Sequence, residues 1–353
     1  MSDRFRTGTS RALRAVTLLL AVVLIAGSCG SNMSVEDGGA GTPVLGSTTL
    51  ENSVVLQRVT ISDTDPFGVG GNALTLLVPA GWTVTGGPVW RHDRVSLVTG
   101  EIVVSSPDGF SQVEFLPIFS QVWQDGGLFG FGAGDNYLGA TVRAPIGDVV
   151  EFLASVVLPA ARSGLAYEII ATEPLPDVAN AVVAGLPNTQ SVAARVLVRY
   201  PFDEGPDLLE EFTVALSFTT SPALPGLTNW APHTLFAIRA LEPDFDAARP
   251  VLETIAQSPV VDIDWFTRYQ YVLNLARQNG LDAIEAAGRT SQIISELSDE
   301  TFEIYRQTYR NAQAVNDQVA NEFVQVTRGV ETYDTPFDDA GIELPLTFDR
   351  VYA

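Results

Sequence analysis

The chain has 353 residues, with 20 basic against 42 acidic side chains, a formal net charge of −22 and a hydrophobic share of 46%. Such a charge argues against nucleic acid or an anionic membrane surface as a partner. The single cysteine, Cys29, excludes disulfides, thiolate metal sites and a cysteine nucleophile elsewhere, and the absence of lysine removes the phosphate-loop lysine and Schiff-base chemistry.

Arg4, Arg6, Arg11 and Arg14 precede an apolar run of roughly a dozen residues, Ala15 to Ala26, which is the charged-then-apolar order of a secretory signal. A stable transmembrane helix needs about 20 such residues, so the run reads as a leader instead of a permanent span. It ends in Ala26-Gly27-Ser28-Cys29, which resembles a lipobox: small residues that fit a peptidase groove, then a cysteine whose sulfur takes the lipid. Residues 1–28 are therefore expected to be a lipoprotein signal peptide, Cys29 the lipidation site, and the partner a bacterial membrane reached through that lipid. Residues 29–50 are rich in Gly, Ser and Thr without apolar periodicity and read as a flexible spacer.

Residues 51–260 alternate β-branched runs with turn signals and contain two helical patterns, which predicts an α+β domain built on a mostly antiparallel sheet sandwiched with helices. Strands are expected at 54–61, 73–78, 95–105 and 111–118, with a tight hairpin at Ser106-Pro107-Asp108-Gly109. Asp148 is placed to cap a helix reaching about Leu158, with Val149, Phe152, Leu153 and Val156 on one face. Strands follow near 165–171, 191–200, 211–219 and 234–241, and a helix opening at Asp246 or Arg249 ends before Ser258-Pro259.

Residues 261–327 change to a helical period without proline, with Trp265, Tyr269, Val272 and Ala276 on one seam. Two arrangements are open, a single long helix or a helical hairpin, and residues 328–353 return to turn chemistry.

The chemistry-bearing residues are sparse. Two histidines, His92 and His233, are too isolated for a metal cluster. Asp63-Thr64-Asp65 superficially offers oxygen ligands for calcium but lacks the remaining acids of a calcium loop, and reads as an Asx turn. Gly126 to Gly139 lacks the nucleotide fingerprint and reads as a mobile loop whose exposed Phe129, Phe131 and Tyr137 could form a lip for a ligand or partner. Arg328 and Glu331 are expected to pair across a final helical turn that Gly329 ends; together with Tyr333 they could instead grip an anion.

Pro79-Ala80-Gly81-Trp82, Ser106-Pro107-Asp108-Gly109, Tyr137-Leu138-Gly139, Arg328-Gly329-Val330-Glu331-Thr332-Tyr333 and Glu343-Leu344-Pro345 resemble motifs of a group of uncharacterised secreted bacterial proteins over residues 70–345. Phe323 stands where that group would have tryptophan. More distantly, the order of strands and helices up to Ser258-Pro259 resembles the αβα sandwich of PsbP, a photosystem extrinsic protein, and of a Ran-binding relative, domains that mostly bind partners. The expectation is a non-enzymatic, lipid-anchored envelope protein without cofactor or metal, binding an envelope protein or small ligand. The alternative is an extracytoplasmic hydrolase using paired carboxylates.

Overall fold

The computed structural model describes residues 54–91, 97–128, 130–202 and 205–279, parts of a helical stretch between 303 and 318, and residues 330–335 and 338–345. The leader, Cys29, the spacer, His92, Phe129 and Arg328 lie outside the described residues.

Strand β1 (Leu56–Ser62) pairs antiparallel with β2 (Asn72–Pro79), and β3 (Thr83–Trp90), β4 (Val98–Ser105) and β5 (Gln112–Phe115) form an antiparallel run. The β4–β5 turn is the expected one: the Gly109 amide donates to the Ser106 carbonyl at 3.0 Å. Ser106 Oγ donates to the Asp108 carboxylate, which with the Phe110 amide holds that carboxyl below its usual range. Strand β3 has no counterpart among the expected strands, because Gly86-Gly87-Pro88 reads as a break. Gly86 sits in β3 because β4 comes so close: a Cβ there would lie 1.8 Å from the Glu101 carbonyl oxygen. Pro88 is tolerated because β3 is an edge strand of its sheet.

Next come β6 (Gln121–Gln124), β7 (Asn136–Tyr137) and β8 (Ala140–Val142). Helix α1 (Val149–Phe152) starts at the expected cap, where Asp148 Oδ1 accepts the Glu151 amide at 2.9 Å. It runs through a π turn at Leu153–Val157 into α2 (Leu158–Ala161). Pro159, without an amide proton to continue the α ladder, accounts for the wider turn before it. The chain continues with β9 (Glu168–Pro174), α3 (Pro176–Val183), β10 (Thr189–Tyr200), β11 (Leu208–Thr220) and β12 (Leu227–Leu241). It then forms α4 (Phe245–Gln257), β13 (Val260–Val261), α5 (Ile263–Asn279), β14 (Val330–Thr335) and β15 (Asp338–Pro345).

The architecture is α+β. A ten-stranded sheet has the path β3-β4-β5-β12-β11-β10-β9, with β6, β7 and β8 attached beside β12, and β1-β2-β13 form a smaller sheet. All pairings are antiparallel except β6 with β8. Alternation along β11 divides the core. Phe212, Val214 and Leu216 face α1, the π turn and α2, where Phe152 and Trp230 meet edge-on at 5.9 Å. Leu209 faces the opposite side, covered by α4 through Phe245, Leu252 and Ile255, and Ala215 faces α3. Helices thus cover both faces of the sheet. No helix among the described residues is long and apolar enough to cross a membrane.

The expected seam of α5 is buried at Trp265, Tyr269 and Val272, against Val69, Ala73 and Val98. Tyr309 meets Phe266 edge-on at 5.3 Å and donates its hydroxyl to the Val261 carbonyl at 2.7 Å. One straight helix would put these positions roughly 60 Å apart at 1.5 Å per residue, so their contact rules out a single straight helix from Phe266 to Tyr309. The helical turn expected at Glu331 needs correction, while Arg328, its expected partner, lies outside the described residues. Glu331 lies in extended β14, opposite Leu344 of β15, and not in a helical turn where residues three apart are neighbours. Val330, Thr332, Tyr333 and Thr335 are strand formers, and the 338–345 segment supplies the partner ladder.

Candidate functional site

Strands β5 and β6 both pair with β12, as though one long strand had been interrupted. Residues 116–120 carry the interruption, with Pro117 at its start. At the break the chain leaves the ladder and opens a cleft of about 100 Å³, lined by Arg91, Thr99, Ile118, Phe119, Ser120, Gln121, Gly139 and Thr141.

Each wall is fixed by backbone. Thr99 of β4 accepts the Ile118 amide on Oγ1 at 2.8 Å. The Ser120 carbonyl accepts the Thr141 amide at 3.0 Å, and Gln121 pairs with Thr141 in the parallel β6–β8 ladder. The turn feeding β8 has left-handed backbone at Leu138 (φ 55°) and Gly139 (φ 98°). Such a conformation is uncommon for leucine, and the Asn136 side chain braces it by accepting the Gly139 amide at 2.9 Å. Arg91 stands at the rim, its guanidinium 3.6 Å from Glu101.

Ser120 is 8% exposed and Gln121 4%, yet Ser120 Oγ and Gln121 Oε1 have no hydrogen-bond partner among the described residues. Leaving a buried polar group unsatisfied costs about 1–3 kcal/mol, and most such groups in folded proteins find partners. Both residues line the same cleft, and a ligand or bound water there is what would satisfy such groups.

Phe131 and Tyr137 come together edge-on at 5.2 Å, at the outer side of the loop that delivers Gly139 and Thr141. Phe131 is 39% exposed, as expected. Tyr137 is only half-exposed, because it packs on the Val122, Leu128 and Ala140 cluster; the loop closes on its own small core. Glu331 and Tyr333 belong to the β14–β15 hairpin. The sequence reading missed Ser120, Gln121, Thr99 and Thr141. The one local signal was a Ser-Gln pair within the apolar run Phe115 to Trp123, just after Pro117.

The Asx turn at Asp63 is present: Asp63 Oδ1 accepts the Asp65 amide at 3.3 Å, and Asp65 Oδ1 accepts the Phe67 amide at 2.9 Å. Asp63 Oδ2 is turned toward N–H donors, which is the wrong environment for a cation. Buried carboxylates elsewhere clasp arginines. Glu114 and Glu210 share Arg162, and Glu211 and Glu253 share Arg195 and Arg249. Burial raises the Glu211 carboxyl above its usual range, against the pull of Arg249 and Arg195.

His233 is the extra residue of a β-bulge, between Pro232, which pairs with Leu216, and Thr234, which pairs with Ala215. Burial lowers its pKa to about 4. The fold therefore holds the ring neutral where the unfolded chain, with a pKa near 6.5, already takes a proton. This contribution to stability is complete above about pH 6.5 and drains as pH falls toward 4. The ring is only part-buried, so the loss is expected to be on the order of 2 kcal/mol at most. Urea unfolding at pH 7 and pH 4.5 measures it, and His233→Gln should remove that share of the slope; an unchanged slope would refute it.

No protein-family model matches the chain, and no curated protein matches it. Among solved structures, one similar chain is the solution structure of cyanobacterial PsbP (CyanoP) from Synechocystis sp. PCC 6803. It is 17% identical, covers 62% of this chain and 99% of its own, and has a TM-score of 0.25. A likeness at that identity and score carries no function to this chain.

Proposed function

We propose that this chain is a non-enzymatic, lipid-anchored cell-envelope protein, tethered through Cys29, that binds a small polar ligand in the cleft at the β5–β6 break. The observation that carries the reading is the pair of buried hydrogen-bonding groups, Ser120 Oγ and Gln121 Oε1, on residues of the cleft wall and without partners among the described residues. Small-molecule sites use a few well-placed polar groups of this kind to fix orientation. The charged leader and the small-residue run before Cys29 support the tether. The engagement of Glu114, Glu210, Glu211 and Glu253 by arginines favours binding over the carboxylate hydrolase. The finer reading of the architecture as a PsbP-like sandwich, in a class that mostly binds partners, is part of the same proposal.

The test is a ligand-observed NMR screen of the full chain with neutral sugars, hydroxy acids, amino acids and small carboxylates, run long enough to detect conversion. At least one solute is expected to bind, to be recovered unchanged, and to be lost in the Ser120→Ala, Gln121→Leu double variant. Absence of any binder, or turnover of one, overturns the reading. Intact-mass spectrometry of the membrane-extracted chain is expected to show an acylated N-terminal Cys29; a cytosolic chain retaining Met1 overturns the tether.

A further inference from the structure

We infer that the cleft takes a small hydroxylated carboxylic acid, of the hydroxy-acid or sugar-acid class, with its hydroxyls against Gln121 and Ser120 and its carboxylate at Arg91. The inference rests on the cleft being a ligand site and names the chemistry that fits it. An amide oxygen only accepts, so whatever sits against Gln121 Oε1 must bring a donor. That requirement disfavours sulfate and simple carboxylates, which arrive with acceptors alone. The hydroxyl of Ser120 both donates and accepts, and that of Thr99, already accepting from the Ile118 amide, keeps its proton for an acceptor. A wall that needs a donor at one point and offers donors at others matches alcohols, in which one oxygen plays both parts. An ammonium group supplies donors only and would seek a carboxylate, and none of the described lining residues carries one.

The charge at the other end follows from Arg91, the one ionised side chain among the described lining residues. Its pair with Glu101 is long, at 3.6 Å, and both side chains are more than 40% exposed, with relative accessibilities of 42% and 47%. Such surface pairs are worth about 0–1 kcal/mol, whereas a forked guanidinium–carboxylate contact with a bound ligand is charge-assisted and geometrically specific. Exchange of one for the other is therefore favourable. The volume of about 100 Å³ suits a molecule of a few carbons up to one sugar ring.

The experiment is calorimetric titration of the full chain with glycerate and galacturonate. Their controls are glycerol and galactose, which lack the carboxylate, and propionate and phosphate, which lack the alcohol hydroxyls. One of the two hydroxy acids is expected to bind at least tenfold more tightly than every control. Arg91→Gln, a substitution at an exposed position that leaves the core untouched, should erase that advantage while leaving the uncharged polyol's affinity within twofold. Gln121→Met should weaken acid and polyol alike. Equal affinity for galactose and galacturonate, or tighter binding of propionate or phosphate, overturns the ligand class while the cleft stands as a site. So does binding at the cleft by only an amino acid from the wider screen. If nothing in either set binds, the class and the site fail together.

Discussion

Arg162→Ala is expected to cost about 3–5 kcal/mol of folding stability, the range seen when one partner is removed from a buried ionic cluster. Arg162 follows the last turn of α2, where its guanidinium, 9% exposed, enters the gap between helix and sheet. Nε and Nη2 fork onto Glu210 at 3.0 and 2.6 Å, Nη2 also reaches Glu114, and the group lies 5.9 Å from the centre of the Phe212 ring. Tyr200 donates its hydroxyl to Glu210 at 2.8 Å. Burial, the largest single influence on Arg162, works against its charge, but Glu210 and then Glu114 together outweigh it, so the cation is held well above its usual range. Burial and the Glu210 charge also keep the Tyr200 phenol protonated, and hence a donor. Alanine would strand the Glu210 carboxylate, 2% exposed, with only Tyr200 against it. Denaturant unfolding should show the full loss for Arg162→Ala. It should show a smaller one for Glu114→Gln, whose side chain is 22% exposed and reaches some water. The combined Arg162→Met, Glu210→Leu variant should recover most of the loss, because an apolar replacement removes both desolvated charges together. A cost below 1 kcal/mol for Arg162→Ala would show that water reaches the cluster.

The part of the fold legible in the sequence is the part written in local chemistry. The strands later found as β10, β11 and β12 announce themselves by β-branched runs, the Asp148 cap by its place before an amphipathic run, and the β4–β5 turn by Pro-Asp-Gly. What stayed hidden depends on contacts made across long distances. Strand β3 carries Gly86-Gly87-Pro88, which is punctuation in isolation and becomes a strand only because β4 lies too close for a side chain. Helix α3 is a short helix whose Val178 and Val182 find Ala193 and Ala215 of the sheet, too little periodicity to register alone. Val330–Thr335 fell to the opposite error: an Arg-Gly pair after a long helical pattern reads as a helix end, while the extended partner at 338–345 decides the matter. The cleft was the hardest to anticipate. Thr99, Ser120, Gln121 and Thr141 come from three strands and the edge of a ladder break, and nothing in their spacing brings them together.

Asp63→Ala is expected to be comparably severe, about 3–5 kcal/mol, through the loss of an acceptor that several buried donors share. Asp63, 5% exposed, follows β1, and its Oδ2 accepts from the Val69 amide at 3.0 Å, the Trp90 indole at 3.0 Å and the Trp265 indole at 2.9 Å. One carboxylate thus binds its own loop, strand β3 and helix α5, which enters the structure about two hundred residues later. The aromatic rings around it lock the arrangement, with Trp265 stacked on Tyr269 at 5.6 Å and Trp90 edge-on to Tyr269 at 6.1 Å. Gly68 is required beside it, because a Cβ there would fall 2.1 Å from Asp63 Oδ1. Asp63→Asn separates shape from charge: its amide oxygen can occupy the Oδ2 position and keep the two indoles, losing the charge assistance and the long bond from the Asp65 amide to Oδ1, so the expected cost is about 1–2 kcal/mol. Trp265→Phe removes one donor, and a double-mutant cycle with Asp63→Ala should give a coupling of about 1–3 kcal/mol. Tryptophan fluorescence during urea unfolding follows the loss, and comparison of the parent with Trp265→Phe isolates the Trp265 signal among the five tryptophans. Calcium should leave the unfolding midpoint of the wild-type chain unmoved, since a cation approaching Oδ2 would meet three N–H groups. A calcium-dependent rise, or an alanine variant as stable as the parent, would mean that these indoles do not hold the helix to the N-terminal strand.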